Sequence, residues 1–214
     1  MRNVRVFYKK RGRMKFVSHL DMNRFMSRLI TKSKIPIWYT EGFNQHIYMN
    51  FAIPLSLGFE GLYEIMDIRL TDDEYPLEMC LEALNSVAPD DIVFTAVKEP
   101  KENMKEIAFA QYDISLNNFS GESKQQLAEF LQRESVLCLK KGKKGKLKEI
   151  DIIPKIRCFE IKQDTLCICV NAGCEDTLNP SLVLSTFFEQ TQTESCFYSV
   201  VRTAVLNKKG ELFE

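Results

Sequence analysis

"LYEIMDIRL", Leu62–Leu70, alternates without a break. Tyr63, Ile65, Asp67 and Arg69 fall on one side; Leu62, Glu64, Met66, Ile68 and Leu70 fall on the other. That period of two marks a β-strand with one buried face. Just upstream, "YMNFAIPL" (Tyr48–Leu55) is extended, with Pro54 marking an edge or a bulge, and "IPIWY" (Ile35–Tyr39) is a short apolar strand candidate. Further upstream the period changes. Met22, Phe25, Met26, Leu29 and Ile30 recur at helical spacing, Ser18 and Asp21 form a capping-box-like start, and Pro36 lies beyond the end. "VRVFYKK" (Val4–Lys10) is a first strand and "KFV" (Lys15–Val17) a short extended piece. Downstream, "PLEMCLEALNSVAP" (Pro76–Pro89) is a helix bounded by prolines, and "DIVFTAVKE" (Asp91–Glu99) a strand.

Strand, helix, strands, helix, strand is the order of a split βαβ, or ferredoxin-like, unit. After the linker "EPKENMKEI" (Glu99–Ile107) the order recurs. "FAQYDISL" is a strand, "ESKQQLAEFLQRE" a helix, "SVLCLKK" a strand, "CFEIKQDTLCICVN" a hairpin, "PSLVLSTFFEQT" a helix with Asn179 as its cap, and "CFYSVVRTAVL" a strand. The expected fold is therefore α+β: two ferredoxin-like domains in tandem with antiparallel sheets, residues 1–102 and 103–214. The second half repeats the order, not the sequence.

A length of 214 residues suits two such domains, and 45% hydrophobic residues suffice for cores without disulfides. No apolar run reaches membrane-spanning length and the first residues lack a signal-peptide core, so the expected location is cytoplasmic. The seven cysteines, an odd number in a chain of this size, argue against a disulfide framework. Cys167 and Cys169 share a strand face and Cys174 follows a turn. A metal site from these three stays open beside buried thiols, although the spacing matches no usual zinc or iron–sulfur pattern. No cofactor or metal is expected.

The zero net charge hides segregation. Residues 1–48 hold eleven Lys/Arg against two Asp/Glu, residues 49–100 two against eleven, and "KKGKKGKLK" (Lys140–Lys148) is a second basic run. Basic residues interleave with Phe7, Tyr8, Phe16, Trp38, Tyr39 and Phe43, a combination that suits single-stranded RNA. Core packing explains most of these aromatics as well, Phe16 above all. Arg24, Arg28 and Lys32 lie four apart on the polar side of the first helix. The lysine run is either a phosphate-contacting hairpin tip or a solvated turn.

Three short motifs carry a resemblance. Ser18-His19-Leu20-Asp21, Glu41-Gly42-Phe43-Asn44 with His46, and Pro54-Leu55 with Leu57 and Gly58 resemble the uncharacterised radical-SAM-linked protein family. Its members occur alone or as the C-terminal extension of cobalamin-binding-type radical SAM proteins. The likeness spans nearly the whole chain and is strongest over residues 1–70; Gln45 and Ile47 stand where the family has prolines. It implies a radical SAM protein as partner and, from the ribonuclease and ribosomal-protein genes near family members, RNA. The chain has no C-x-x-x-C-x-x-C cluster motif of its own.

The expected site gathers Ser18, His19, Asp21, Arg24, Arg28, Glu41, Phe43, Asn44 and His46, with the two histidines converging at one end of the sheet. Three functions compete. The first is a non-catalytic accessory protein of a radical SAM protein, with an RNA or ribonucleoprotein as the substrate it presents. The second is a standalone RNA-binding protein. The third is a metal-independent ribonuclease using His19 and His46 as acid and base. Against all three stands a local reading, in which capping explains Ser18 and Asp21 and turn geometry explains Gly42 and Asn44.

Overall fold

The structure, a computed structural model, describes residues 1–141, 147–173 and 176–214. β1 (Arg2–Lys10) leads through a 3-10 turn (Gly12–Phe16) into α1 (His19–Ser33). β2 (Met49–Phe51), β3 (Glu60–Leu70), α2 (Leu77–Val87) and β4 (Ile92–Lys98) complete the first unit. The second runs β5 (Ile107–Leu116), α3 (Gly121–Leu131), β6 (Leu137–Lys141), β7 (Leu147–Asp151), β8 (Ile156–Lys162), β9 (Thr165–Asn171), α4 (Pro180–Thr191) and β10 (Tyr198–Asn207).

Both units have the ferredoxin-like strand order. In the first the order is β4-β1-β3, with β2 on the outer side of β3; in the second it is β10-β5-β9-β8. The β6–β7 hairpin is an insertion and forms its own two-stranded sheet. Residues 142–146, the centre of the lysine run, and Cys174 lie outside the described residues.

The expectation of a separate sheet for each half is corrected by the structure. β10 pairs with β3 in parallel at Val201–Glu60 and Arg202–Gly61, so one sheet runs through both units. The reason lies in strand length. β3 has 11 residues, and β2 covers only Phe51 to Met49 against Met66 to Ile68, which leaves the start of β3 unpaired on that side. Unpaired backbone groups at a sheet edge invite another strand.

Two apolar cores lie beneath the helices, one per unit. Val4, Val6 and Tyr8 of β1 pack with Met22, Met26, Leu29 and Ile30 of α1. Ala110, Ile114, Leu166 and Val170 pack with Leu127, Phe130, Leu184 and Phe187. Burial of this kind drives folding at about 25 cal/mol per Å². The linking stretch Pro54–Gly58 crosses between them, for Leu55 is buried in the second unit's core.

Two local expectations change. Gly12–Phe16 is a 3-10 turn where an extended piece was expected at Lys15, and Phe16 is 67% exposed where core packing was expected. Gly12 has φ +56°, and a Cβ there would lie 2.4 Å from Asp91 Oδ1, so the tight turn needs glycine and swings Phe16 outward. "IPIWY" makes only isolated bridges, Ile37 to Leu70 and Tyr39 to Ile47.

Candidate functional site

The predicted residues fall into two groups. Ser18 caps α1: its Oγ accepts the Asp21 N–H at 3.2 Å and donates to Asp21 Oδ2 at 2.7 Å. Arg24 pairs with Asp21 at 3.2 Å on the exposed surface, and Arg28 is exposed one turn further on. His19 is the first residue of the helix. Asn23 Nδ2 donates to its carbonyl at 2.9 Å and lies 3.3 Å from Nε2, and its ring meets Phe51 edge-on at 5.3 Å.

Glu41, Phe43, Asn44 and His46 belong to the tip of a small hairpin closed by the Tyr39–Ile47 bridge. Gly42 has φ +120°, and Phe43 is fully exposed. His46 Nδ1 lies 3.1 Å from the Asn44 carbonyl and 3.0 Å from Thr40 Oγ1, while the Thr40 N–H donates to the His46 carbonyl at 2.8 Å. A carbonyl only accepts, so the Asn44 contact places a proton on Nδ1.

His19, and none of the loop residues, lines a narrow crevice beside α1. Its walls include Met22, Phe51, Ile53 and Leu55, and its base carries Tyr8, Lys10 and Glu64. Below it lies a buried ion pair. Glu64 is 3% exposed and Arg202 1%. Arg202 Nε donates to Glu64 Oε1 at 2.9 Å and Nη2 to Oε2 at 2.5 Å; its remaining donors reach the carbonyls of Pro54 and Ile53, each at 3.1 Å. Burial opposes the Arg202 charge, but Glu64 alongside overrides it and holds the guanidinium protonated. Burial lowers the pKa of Lys10, whose Nζ donates to the Val17 carbonyl at 3.1 Å, and raises that of Tyr8.

Sequence reading missed this cluster. Its signal was present: Glu64 shares the buried parity of β3 with Met66, Ile68 and Leu70, and a charge on an apolar face requires a partner. Pro54 of the Pro54–Leu55 motif supplies one of the two carbonyls and Leu55 enters the second unit's core, so that part of the resemblance marks the junction between units. Gly58, at φ +85°, ties the end of that stretch back to the first unit: its N–H donates to the Lys15 carbonyl at 2.8 Å.

The described cysteines take no part. Cys167 and Cys169 face the same side of β9, and burial pushes the Cys169 thiol up to about 11. No group of three or more ligating side chains among the described residues could hold a metal ion, and no helix is long and apolar enough to cross a membrane.

A family model matches residues 3–180, more than four-fifths of the sequence. The chain belongs to DUF2344. The family is described as uncharacterised proteins conserved in bacteria. No curated protein matches the sequence. Among solved structures, a chain of a Cbf5–Nop10–Gar1 complex is similar at 13% identity with a TM-score of 0.48, over 94% of this chain and 48% of the other, so this member spans about half its length. A candidate glycine cleavage system transcriptional repressor is similar at 10% identity with a TM-score of 0.25, over 92% of this chain and 95% of the other.

Proposed function

We propose that this protein is a non-catalytic accessory module that works with a radical SAM protein and presents an RNA or ribonucleoprotein substrate to it. The observation that carries the reading is an exposed apolar group around the start of α1. Phe16 is 67% exposed, Leu20 62% and Leu57 64%, and the Gly58–Lys15 backbone bond ties the Leu57 segment to the turn that holds Phe16. Arg11, Arg13 and Arg24 are exposed in the same two segments. Apolar side chains held in the open and bordered by charge are the usual composition of a docking surface. Both imidazoles are engaged by their own neighbourhoods, His19 by Asn23 and Phe51, His46 by Thr40 and Asn44. That arrangement favours positioning over acid–base chemistry.

The test is a titration of the purified chain against a cobalamin-binding-type radical SAM protein from the same organism. Leu20→Glu and Phe16→Glu are expected to weaken the complex at least tenfold without lowering the melting temperature, since both side chains are exposed. Unchanged affinity in both variants would remove the reading. Standalone RNA binding is favoured by the exposed Arg24 and Arg28. It requires affinity that falls steeply with salt and falls further in the double Ala variant, with no partner present.

A further inference from the structure

The helices cover one face of the sheet, and the opposite face of the first unit holds a different set of side chains. Phe7 of β1 and Tyr63 of β3 sit side by side there, ring centroids 5.4 Å apart, and Lys98 Nζ lies 5.5 Å above the Phe7 ring. Toward the β2 edge, the Arg69 guanidinium lies 4.9 Å from the Trp38 ring and 4.4 Å from Tyr48, and all three are half-buried. Paired aromatics on the central strands of a four-stranded antiparallel sheet, bordered by cations, form the kind of platform on which unpaired bases stack.

Part of this platform is covered from within the chain. Phe213 is wholly buried against Phe7, Ile65 and Val205, and the Arg5 guanidinium stacks on its ring at 4.4 Å. Arg5 Nη1 donates to the Glu214 carbonyl at 2.8 Å and Tyr63 Oη to the Phe213 carbonyl at 3.1 Å. The Glu214 carboxylate accepts from Lys98 at 2.8 Å and from Lys101. The other edge of Arg5 is held by Asp67 at 2.8 and 2.9 Å, which fixes its orientation. Phe213–Glu214 thus offers one flat ring to the aromatic and guanidinium groups and one anion to two lysines. A nucleotide offers the same two things, a base to stack and a phosphate to pair.

We propose that this face is a binding site for a single strand of nucleic acid and that Phe213–Glu214 occupies it as an internal surrogate, displaced when the strand binds. RNA as the source rests on the proposed function above. The second unit's equivalent open face also carries one cation–ring pair, Arg157 over Phe109 at 4.5 Å, but beside it presents the carboxylates of Asp113 and Glu160 with Cys158, Cys167 and Cys169, placing negative charge where phosphates would lie, and this favours the first unit as the site.

Fluorescence anisotropy with an oligouridylate of about 12 nucleotides at low salt tests this. Glu214→Gln leaves the buried ring in place and is expected to tighten binding several-fold; Phe213→Ala is expected to do so by on the order of tenfold, because the competent state no longer competes with the surrogate. Trp38→Ala, which leaves the surrogate untouched, is expected to weaken binding roughly 5- to 100-fold through lost stacking. Ultraviolet crosslinks should map to Trp38, Tyr48 or Tyr63. If Phe213→Ala fails to fold, Glu214→Gln and Trp38→Ala decide. RNA binding that ignores all three substitutions and crosslinks to α1 overturns the site while leaving the RNA reading intact. No binding by the wild type or by Glu214→Gln overturns both. A preference for duplex RNA overturns the site. Binding of the deoxy strand alone keeps the site and removes RNA as its source.

Discussion

The two units share a strand order and differ in what they do with their open faces. The first places aromatics and cations there and covers them with Phe213 and Glu214. The second leaves a shallow cavity of about 420 Å³ lined by Cys158, Cys167, Cys169, Asp113 and Glu160. The same backbone path therefore yields a covered, ring-bearing platform in one unit and an open, thiol- and carboxylate-bearing surface in the other. In a ferredoxin-like unit the helix-side residues must be apolar to fold, whereas the open side is free of that demand unless other segments cover it, as Ile107, Val205 and Phe213 cover Phe7 and Ile65 here.

Joining the units limits how independently they can behave, and the largest predicted effect tests this. Arg202→Leu strands Glu64 without its partner and is expected to cost about 3–5 kcal/mol. One melting transition, shifted down for probes in both units, is expected; a first unit that melts as in the wild type would show that the shared sheet does not couple them. The double variant Glu64→Leu/Arg202→Leu should recover much of the loss, because it removes both charges.

Smaller effects sharpen the contrast within the first unit. Gly58→Ala forces a side chain into left-handed backbone at φ +85° and is expected to cost about 1–2 kcal/mol in chemical denaturation. Ser18→Ala removes the α1 cap and should cost about 1 kcal/mol, with no change in nucleic-acid affinity if the sheet face is the site. His46→Ala should leave the melting temperature nearly unchanged, since the side chain is exposed and bonded only within its loop.

The smallest effect concerns pH. Lys101 and then Lys98 hold the Glu214 carboxyl at about 2, below its ordinary 4.5. A depressed carboxyl contributes stability that is present above 4.5 and is lost as pH falls through the folded value. Protection of the Phe213 amide against hydrogen exchange should therefore fall between pH 4.5 and about 2, and Glu214→Gln should abolish that dependence.

Much of the fold was legible because its signals are local. The alternation of Leu62–Leu70, the helical stripe from Met22 to Ile30, and the Ser18 and Asn179 caps each depend on residues a few positions apart, and each element formed where it was expected. Phe16 was misread because an aromatic residue carries no local mark of which way a 3-10 turn will throw it; Asp91, more than 70 residues away, helps to fix that turn. Of the candidate site, the α1 cap group and the Glu41–His46 loop were each visible as motifs. The different surroundings of His19, beside Phe51, and of His46, bonded within its own loop, were not.

By itself the sequence determined the helices and the long strands, the recurring ferredoxin-like order and the segregation of charge, since periodicity and capping act within a turn or a strand. Only the tertiary structure decided that the halves share one sheet, that Glu64 meets Arg202 across 138 residues, and that Phe213 returns to the face of β1. Those choices depend on which edge remains unpaired and which buried charge remains unsatisfied once the local elements have packed. No window of the sequence contains both partners.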